Sequence, residues 1–85
     1  MAGDVTVLLF ATARLAAGTP RLRWSVGRQG VTARSLVRSL GESYPQLVPT
    51  LRTSRFVLNG QYLTTLATKV RAGDEFAVHP PYGGG

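Results

Sequence analysis

The sequence contains no cysteine and no isoleucine, and its only histidine is His79. Without cysteine the chain cannot form disulfides, thiolate metal sites or a cysteine nucleophile. No apolar run approaches the roughly 20 residues that span a bilayer, and the start of the chain lacks the basic and apolar regions of a secretory signal. We therefore expect a soluble, cytoplasmic protein with no membrane partner, in which any sulfur chemistry uses sulfur from outside the side chains.

Acidic residues are also scarce. Four of them stand against ten basic residues, which gives a formal net charge of +6. Such a charge permits nucleic-acid binding. However, the basic residues are spread along the chain, and all but Lys69 are arginine. The lack of isoleucine and the single asparagine, Asn59, indicate a GC-rich coding bias that itself raises arginine content, so nucleic acid is an unfavoured partner.

The 85 residues suffice for one small domain, and 44% of them are hydrophobic, which excludes intrinsic disorder. Apolar periodicity predicts the order strand, strand, helix, strand, short strand, strand. The predicted strands cover residues 5–10, 21–26, 55–58, 62–63 and 75–79. Between them we expect a loop through 16–20, a helix between Thr32 and Pro45, and an irregular or single-turn connection through 45–51. Asn59 and Gly60 predict a tight turn between two strands.

This order indicates an α+β fold, a β-grasp with a mixed sheet of four to five strands and one main helix on one face. Since residues 5–10 are apolar on both sides, we place the first strand in the centre, parallel to the last. The domain is expected to occupy residues 1–81, followed by a flexible tail of residues 82–85.

Alternation along the strands separates the sheet residues into two faces. The residues expected to face the helix are Val5, Val7, Leu9, Leu22, Trp24, Val26, Phe76 and Val78. The opposite face mixes apolar side chains with arginines, and we interpret it as a docking surface for a partner enzyme. Its candidate contact residues are Leu8, Phe10, Arg23, Arg55, Val57 and His79. Ordinary sheet surface is the alternative, because a one-residue error in register would reverse every side chain.

His79 has no serine or carboxylate arranged beside it for catalysis, so we expect it to pack at the base of the tail. Asp74 and Glu75 are adjacent in a strand and point to opposite faces, so they indicate a turn rather than a metal site.

The chain ends in HPPYGGG, residues 79–85. A terminal glycine run adds nothing to stability, whereas two prolines fix φ at about −65° and aim the tail away from the sheet. With the preceding strand, this ending resembles the C-terminal signature of the MoaD/ThiS sulfur-carrier proteins, D-E-x-A followed by P-P-x-x-G-G. The matching residues are Asp74, Glu75, Ala77, Pro80, Pro81, Gly84 and Gly85. A disordered terminus is the alternative.

The resemblance implies a ubiquitin-like β-grasp whose working group is the Gly85 carboxylate. That carboxylate would be adenylated, then thiocarboxylated, and would donate sulfur to a biosynthetic enzyme. The implied partners are an E1-like adenylating enzyme of the MoeB/ThiF type, which supplies ATP and Mg²⁺, a persulfide sulfur donor, and an acceptor such as the large subunit of molybdopterin synthase. The chain would be a carrier rather than an enzyme, with no cofactor or metal of its own. The residues expected to thread the tail into a partner are Pro80, Pro81, Tyr82, Gly83 and Gly84.

The ending and the loop after the first strand resemble MoaD more than ThiS, which favours the small subunit of molybdopterin synthase. Sulfur donation in thiamine, cysteine or specialised-metabolite synthesis stays open. A ubiquitin-like modifier would transfer the same activated glycine to a lysine amine. A basic nucleic-acid-binding module is the remaining alternative.

Overall fold

The computed structural model describes residues 3–81, which contain seven strands and three α-helices. The strands are β1 (Gly3–Leu9), β2 (Arg21–Val26), β3 (Val31–Thr32), β4 (Arg55–Leu58), β5 (Gln61–Tyr62), β6 (Lys69–Val70) and β7 (Glu75–His79). The helices are α1 (Ala11–Ala17), α2 (Ala33–Ser43) and α3 (Val48–Thr53), with a 3₁₀ turn over Pro45–Leu47. None of the helices in this part of the chain is long and apolar enough to cross a membrane.

Five strands form one mixed sheet in the order β2-β1-β7-β4-β5. The first and last strands lie side by side and parallel in its centre, with Val7 opposite Phe76. The other pairs in the sheet are antiparallel. The predicted β-grasp and the central pairing of the first and last strands are therefore confirmed. Strands β3 and β6 form a separate two-stranded sheet that the sequence did not predict, because two residues are too few to show a period.

The core lies between one face of this sheet and the helices. Residues opposite each other in the register share a face, and the buried strand residues follow the predicted alternation except Ala77, which is buried on the opposite face. The fully buried large side chains are Phe76, Leu9, Leu36, Leu40, Leu47, Val5, Val7, Val70 and Val78. Phe56 stacks on Phe76 with their ring centroids 5.5 Å apart. Val5, Val7 and Leu9 of the central strand β1 belong to one buried cluster with Leu36 and Leu40 of α2 and Leu47 of the 3₁₀ turn.

Helix α2 begins where its sequence predicts. The hydroxyl oxygen of Thr32 accepts a hydrogen bond of 3.1 Å from the Ser35 N–H, which satisfies one of the free donors of the first turn. Ala33, Leu36 and Leu40 are buried at helical spacing. The helix ends at Ser43, two residues before Pro45, as the proline requires.

Two segments differ from the sequence prediction. The region after β1 is helix α1 rather than a loop, since alanine favours the helix and Gly18 ends it in the left-handed conformation at φ 78°. Its periodicity was undetectable because Ala13 is the one residue that it buries. The segment 45–51, predicted as an irregular or single-turn connection, contains the 3₁₀ turn, which fits the prediction, and the start of α3, which does not. The prolines there indicated a break, but proline is compatible with the first turn of a helix.

Candidate functional site

Within residues 3–81, helices α1, α2 and α3 contribute buried residues to the core on one face of the five-stranded sheet, and we call the opposite face the open face. Its central row crosses all five strands in register as Arg21, Leu8, Ala77, Val57 and Tyr62. Leu8 and Val57 are half-buried, and Ala77 is only 6% exposed. The centre of the open face is therefore apolar.

Basic side chains border this apolar centre. Arg23 lies opposite Thr6, and Arg55 lies opposite His79, both on the open face. Arg21, Arg23 and Arg55 are exposed. Glu75, which is also exposed, lies opposite Thr6 in the same row as Arg23. The predicted strand parity is thus confirmed, since every candidate contact residue on a strand lies on the face that the alternation assigned to it. Their contact with a partner stays a prediction.

Aromatic contacts run along the edge of the open face nearest the tail. The His79 ring lies 4.7 Å from that of Phe10 and 6.0 Å from that of Tyr62. Arg55 continues the line, with its guanidinium carbon 4.7 Å from the centroid of the Tyr62 ring. Phe10 is 44% exposed and Tyr62 is 55% exposed. These large rings, together with a cation held over one of them, resemble the composition of protein-binding surfaces.

His79 therefore packs between two rings, half-buried, directly before Pro80. Sequence reasoning placed His79 at the base of the tail but missed Tyr62. The register of the two-residue strand β5 was needed to place that ring on the open face. Tyr62 could have been found from its position two residues after the Asn59-Gly60 turn, because a two-residue hairpin loop fixes the pairing.

The strand that carries the tail is fixed at its start by Asn59. The side-chain oxygen of Asn59 accepts a 2.8 Å hydrogen bond from the Glu75 N–H, and its amide donates to Asp74 at 3.1 Å. The other carboxylate oxygen of Asp74 accepts from the Arg71 N–H at 2.8 Å. Asp74 thus closes a turn, as expected. Separately, residues 3–81 contain no group of three or more histidine, aspartate or glutamate side chains placed to hold a metal.

The base of the tail rests against helices that the sequence did not predict. Pro80 and Pro81 line a groove of about 260 Å³ with Thr12 of α1 and with Pro49, Thr50 and Thr53 of α3. We call it the tail-base groove. Strand β7 ends at His79, so the prolines stop the strand as predicted. Tyr82, Gly83, Gly84 and Gly85 lie outside the described residues, and the tail at 82–85 and its threading stay predictions.

Comparison with known proteins decides the family. The family model described as "ThiS family" matches residues 7–85. The chain belongs to the ThiS family. The match includes the C-terminal residues on which the resemblance depended, so the recognition of a MoaD/ThiS protein is confirmed.

Relatives of this ThiS-family chain agree with that result. It is 30% identical over 86 residues to a molybdopterin synthase sulfur carrier subunit from Dictyostelium discoideum, with each chain covered in full. It is also 30% identical to the protein of the same name from Chlamydomonas reinhardtii, over 96% of this chain and 99% of that one. Among solved structures, small archaeal modifier protein 1 from Methanosarcina acetivorans superposes with a TM-score of 0.80 at 29% identity, covering 100% and 99% of the two chains. The predicted sulfur-carrier class is confirmed by these matches.

Proposed function

We propose that this chain is the sulfur-carrying small subunit of a molybdopterin synthase, and that its Gly85 carboxylate is the group that carries sulfur. The observation that supports this most is the family match, which runs to Gly85. Two relatives named molybdopterin synthase sulfur carrier subunit also align with nearly the whole chain. The fold adds a physical reason. Strand β7 is central and firmly held, and the tail begins directly after it, beside a face with an apolar centre.

The tail can reach a reaction centre that the folded domain cannot enter. Four residues beyond Pro81, each extending at most about 3.3–3.6 Å, span about 13 Å. The last three are glycines, so no Cβ obstructs a narrow channel. An enzyme could therefore bind the open face and receive Gly85 in its own active site.

Activation requires a partner that binds ATP and Mg²⁺, which we propose to be an adenylating enzyme of the MoeB/ThiF type. The Gly85 carboxylate attacks the α-phosphorus of ATP and pyrophosphate leaves. The outer sulfur of a persulfide then attacks the acyl carbon, and AMP leaves with the electron pair of its bond. A thiol cleaves the resulting acyl disulfide and is itself oxidised to a disulfide with the donor, which leaves the thiocarboxylate on Gly85.

The thiocarboxylate sulfur is a better nucleophile than a carboxylate oxygen. The acceptor, here the large subunit, can therefore transfer this sulfur from Gly85 to its substrate. Hydrolysis at the acyl carbon restores the Gly85 carboxylate, and the carrier is ready to be used again. In this scheme the chain supplies no catalytic side chain. Residues Leu8, Phe10, Arg23, Arg55, Val57 and His79 would contact the partners.

Mass spectrometry tests the proposal. Incubation with the cognate adenylating enzyme, ATP, Mg²⁺ and a sulfur source should increase the intact mass by about 16 Da, the exchange of one oxygen for sulfur. Addition of the large subunit and its substrate should then return the mass to the starting value. No increase in mass with an adenylating enzyme that is active on other carriers would contradict the proposal.

A protein modifier is a second candidate, favoured by the match to small archaeal modifier protein 1. In that case Gly85 would form an amide with a lysine of another protein. The same experiment in a cell extract distinguishes the sulfur carrier from the protein modifier. Conjugates to other proteins would appear as higher-mass species that are not cleaved by added thiol. Salt-sensitive nucleic-acid binding that persists after removal of Gly84 and Gly85 would instead favour the binding-module alternative.

A further inference from the structure

The helix side of the molecule carries a second candidate binding surface, distinct from the open face. It is a groove of about 570 Å³ between α2, α3, β4 and the segment that follows β5. We call it the arginine groove. Its apolar lining residues are Val37, Val48, Leu51, Phe56, Leu63 and Leu66.

Three arginines line this groove. Arg38 extends from α2, Arg52 from α3, and Arg55 from the start of β4, and all three are exposed. The guanidinium of Arg55 lies over the Tyr62 ring on the open face, so Arg38 and Arg52 supply the charge at the rim of the groove. Within residues 3–81, no aspartate or glutamate lines it. An apolar floor with a basic rim fits a segment that is itself apolar with acidic flanks. The charge of the groove thus selects against most surfaces of a basic carrier, including a second copy of this chain.

The position of the groove relative to the tail narrows the choice of partner. One side of α3 lines the arginine groove through Val48, Leu51 and Arg52, while Pro49, Thr50 and Thr53 line the tail-base groove. The two grooves are therefore separated by the width of one helix, about 10–12 Å with side chains. A tail that spans about 13 Å beyond Pro81 can reach across that width.

The groove also lies away from the apolar centre of the open face. Phe56 contributes to the groove from the core side of β4, whereas Val57 points to the open face. Arg55 is the one residue common to both surfaces. An enzyme seated on the open face would therefore leave the rest of the arginine groove accessible to another protein.

From these observations we propose that the arginine groove binds the persulfide-bearing sulfur donor while the activating enzyme holds the open face. This rests on the proposed function, because it assigns a surface to one partner of that cycle. Acyl adenylates hydrolyse readily, so sulfur has to arrive while the activated tail is still in the enzyme. A donor bound one helix away from the tail base meets that requirement. The segment of the donor that binds the groove is acidic and apolar, to match the basic rim and apolar floor.

Charge reversal at the rim tests the assignment. The variant Arg38→Glu/Arg52→Glu changes two exposed side chains and should fold as the native chain does. Its matched control is Arg28→Glu/Arg71→Glu, which makes the same change in charge at exposed positions outside both grooves. Each protein is incubated with the activating enzyme and ATP, and sulfur is supplied either by a persulfide-loaded sulfurtransferase from the same cells or by sodium sulfide, which needs no docking.

We expect thiocarboxylate formation by the groove variant to fall about tenfold or more with the sulfurtransferase and to match the native rate with sodium sulfide. Pyrophosphate release should be unchanged, and the control should behave as native in both arms. If the groove variant forms thiocarboxylate with the sulfurtransferase at the native rate, the assignment is overturned. A parallel loss of pyrophosphate release would also overturn it, because the groove would then bind the activating enzyme. Self-association through the groove, seen as a dimer of the native chain that Arg38→Glu/Arg52→Glu dissociates, would also overturn it. Absence of thiocarboxylate from the native chain in both arms would instead contradict the proposed function.

Discussion

Replacement of Asn59 by alanine removes the contacts that hold the start of the tail-bearing strand. Two side-chain hydrogen bonds are lost, one to the Glu75 N–H at 2.8 Å and one to Asp74 at 3.1 Å. Both are exposed, so together they contribute about 1 kcal/mol, the lower end of the usual range. Asn59 also has φ 50°, a left-handed conformation that costs alanine roughly 1 kcal/mol or more. We therefore expect Asn59→Ala to lower the free energy of unfolding by about 2 kcal/mol.

The control for this variant is Asn59→Gly. Glycine adopts positive φ without strain, so only the hydrogen bonds are lost and the expected decrease is about 1 kcal/mol. Urea denaturation followed by the fluorescence of the single tryptophan, Trp24, measures both values, and the slope with urea should not change. In a domain of this size, Tm should fall by about 8–16 °C for the alanine variant. An alanine variant within about 0.5 kcal/mol of native, or a glycine variant as unstable as the alanine one, would refute this reasoning.

Three further variants test other parts of the structure. Gly30→Ala should destabilise by at least about 2 kcal/mol in urea, because φ is 75° and the new Cβ would clash with the backbone oxygen of Val70 in β6. Gly18→Ala, with φ 78° and open space, should lose only about 1 kcal/mol. Thr32→Ala should cost about 1 kcal/mol and reduce helicity by circular dichroism, since the cap of α2 is lost; a serine at this position should restore both. Arg23→Glu should weaken binding of the activating enzyme several-fold in calorimetry, more at low salt, whereas Arg28→Glu should not; equal effects would argue against the open face as the docking surface.

Much of the sheet could be predicted from the sequence because its strands have a clear period. Strands β2 and β7 occur at the predicted residues, since Leu22, Trp24 and Val26 alternate with polar residues and the prolines after His79 fix the last strand. Their assignment to faces follows from the period of two alone. Helix α2 was equally clear, because a threonine cap begins it and a proline follows its end.

Helices α1 and α3 and strands β3 and β6 were not predicted, for specific physical reasons. Helix α1 buries too little to show a helical period, and α3 contains a proline that is tolerated only because it lies in the first turn. Consequently the tail-base groove and the arginine groove, both of which need α3, were invisible in the sequence. The ring of Tyr62 was missed for a related reason, since its place on the open face depends on the register of a two-residue strand.

The proposed function makes the carboxyl carbon of Gly85 the working atom of the protein. Its most direct test is to supply cells that lack the endogenous carrier with either the native chain or a chain shortened by Gly84 and Gly85, and to measure molybdopterin formed per molecule of carrier. The shortened chain keeps every residue described in the fold, so it should be present at native levels and support no synthesis. Molybdopterin formation by the shortened chain at the native rate would contradict the account.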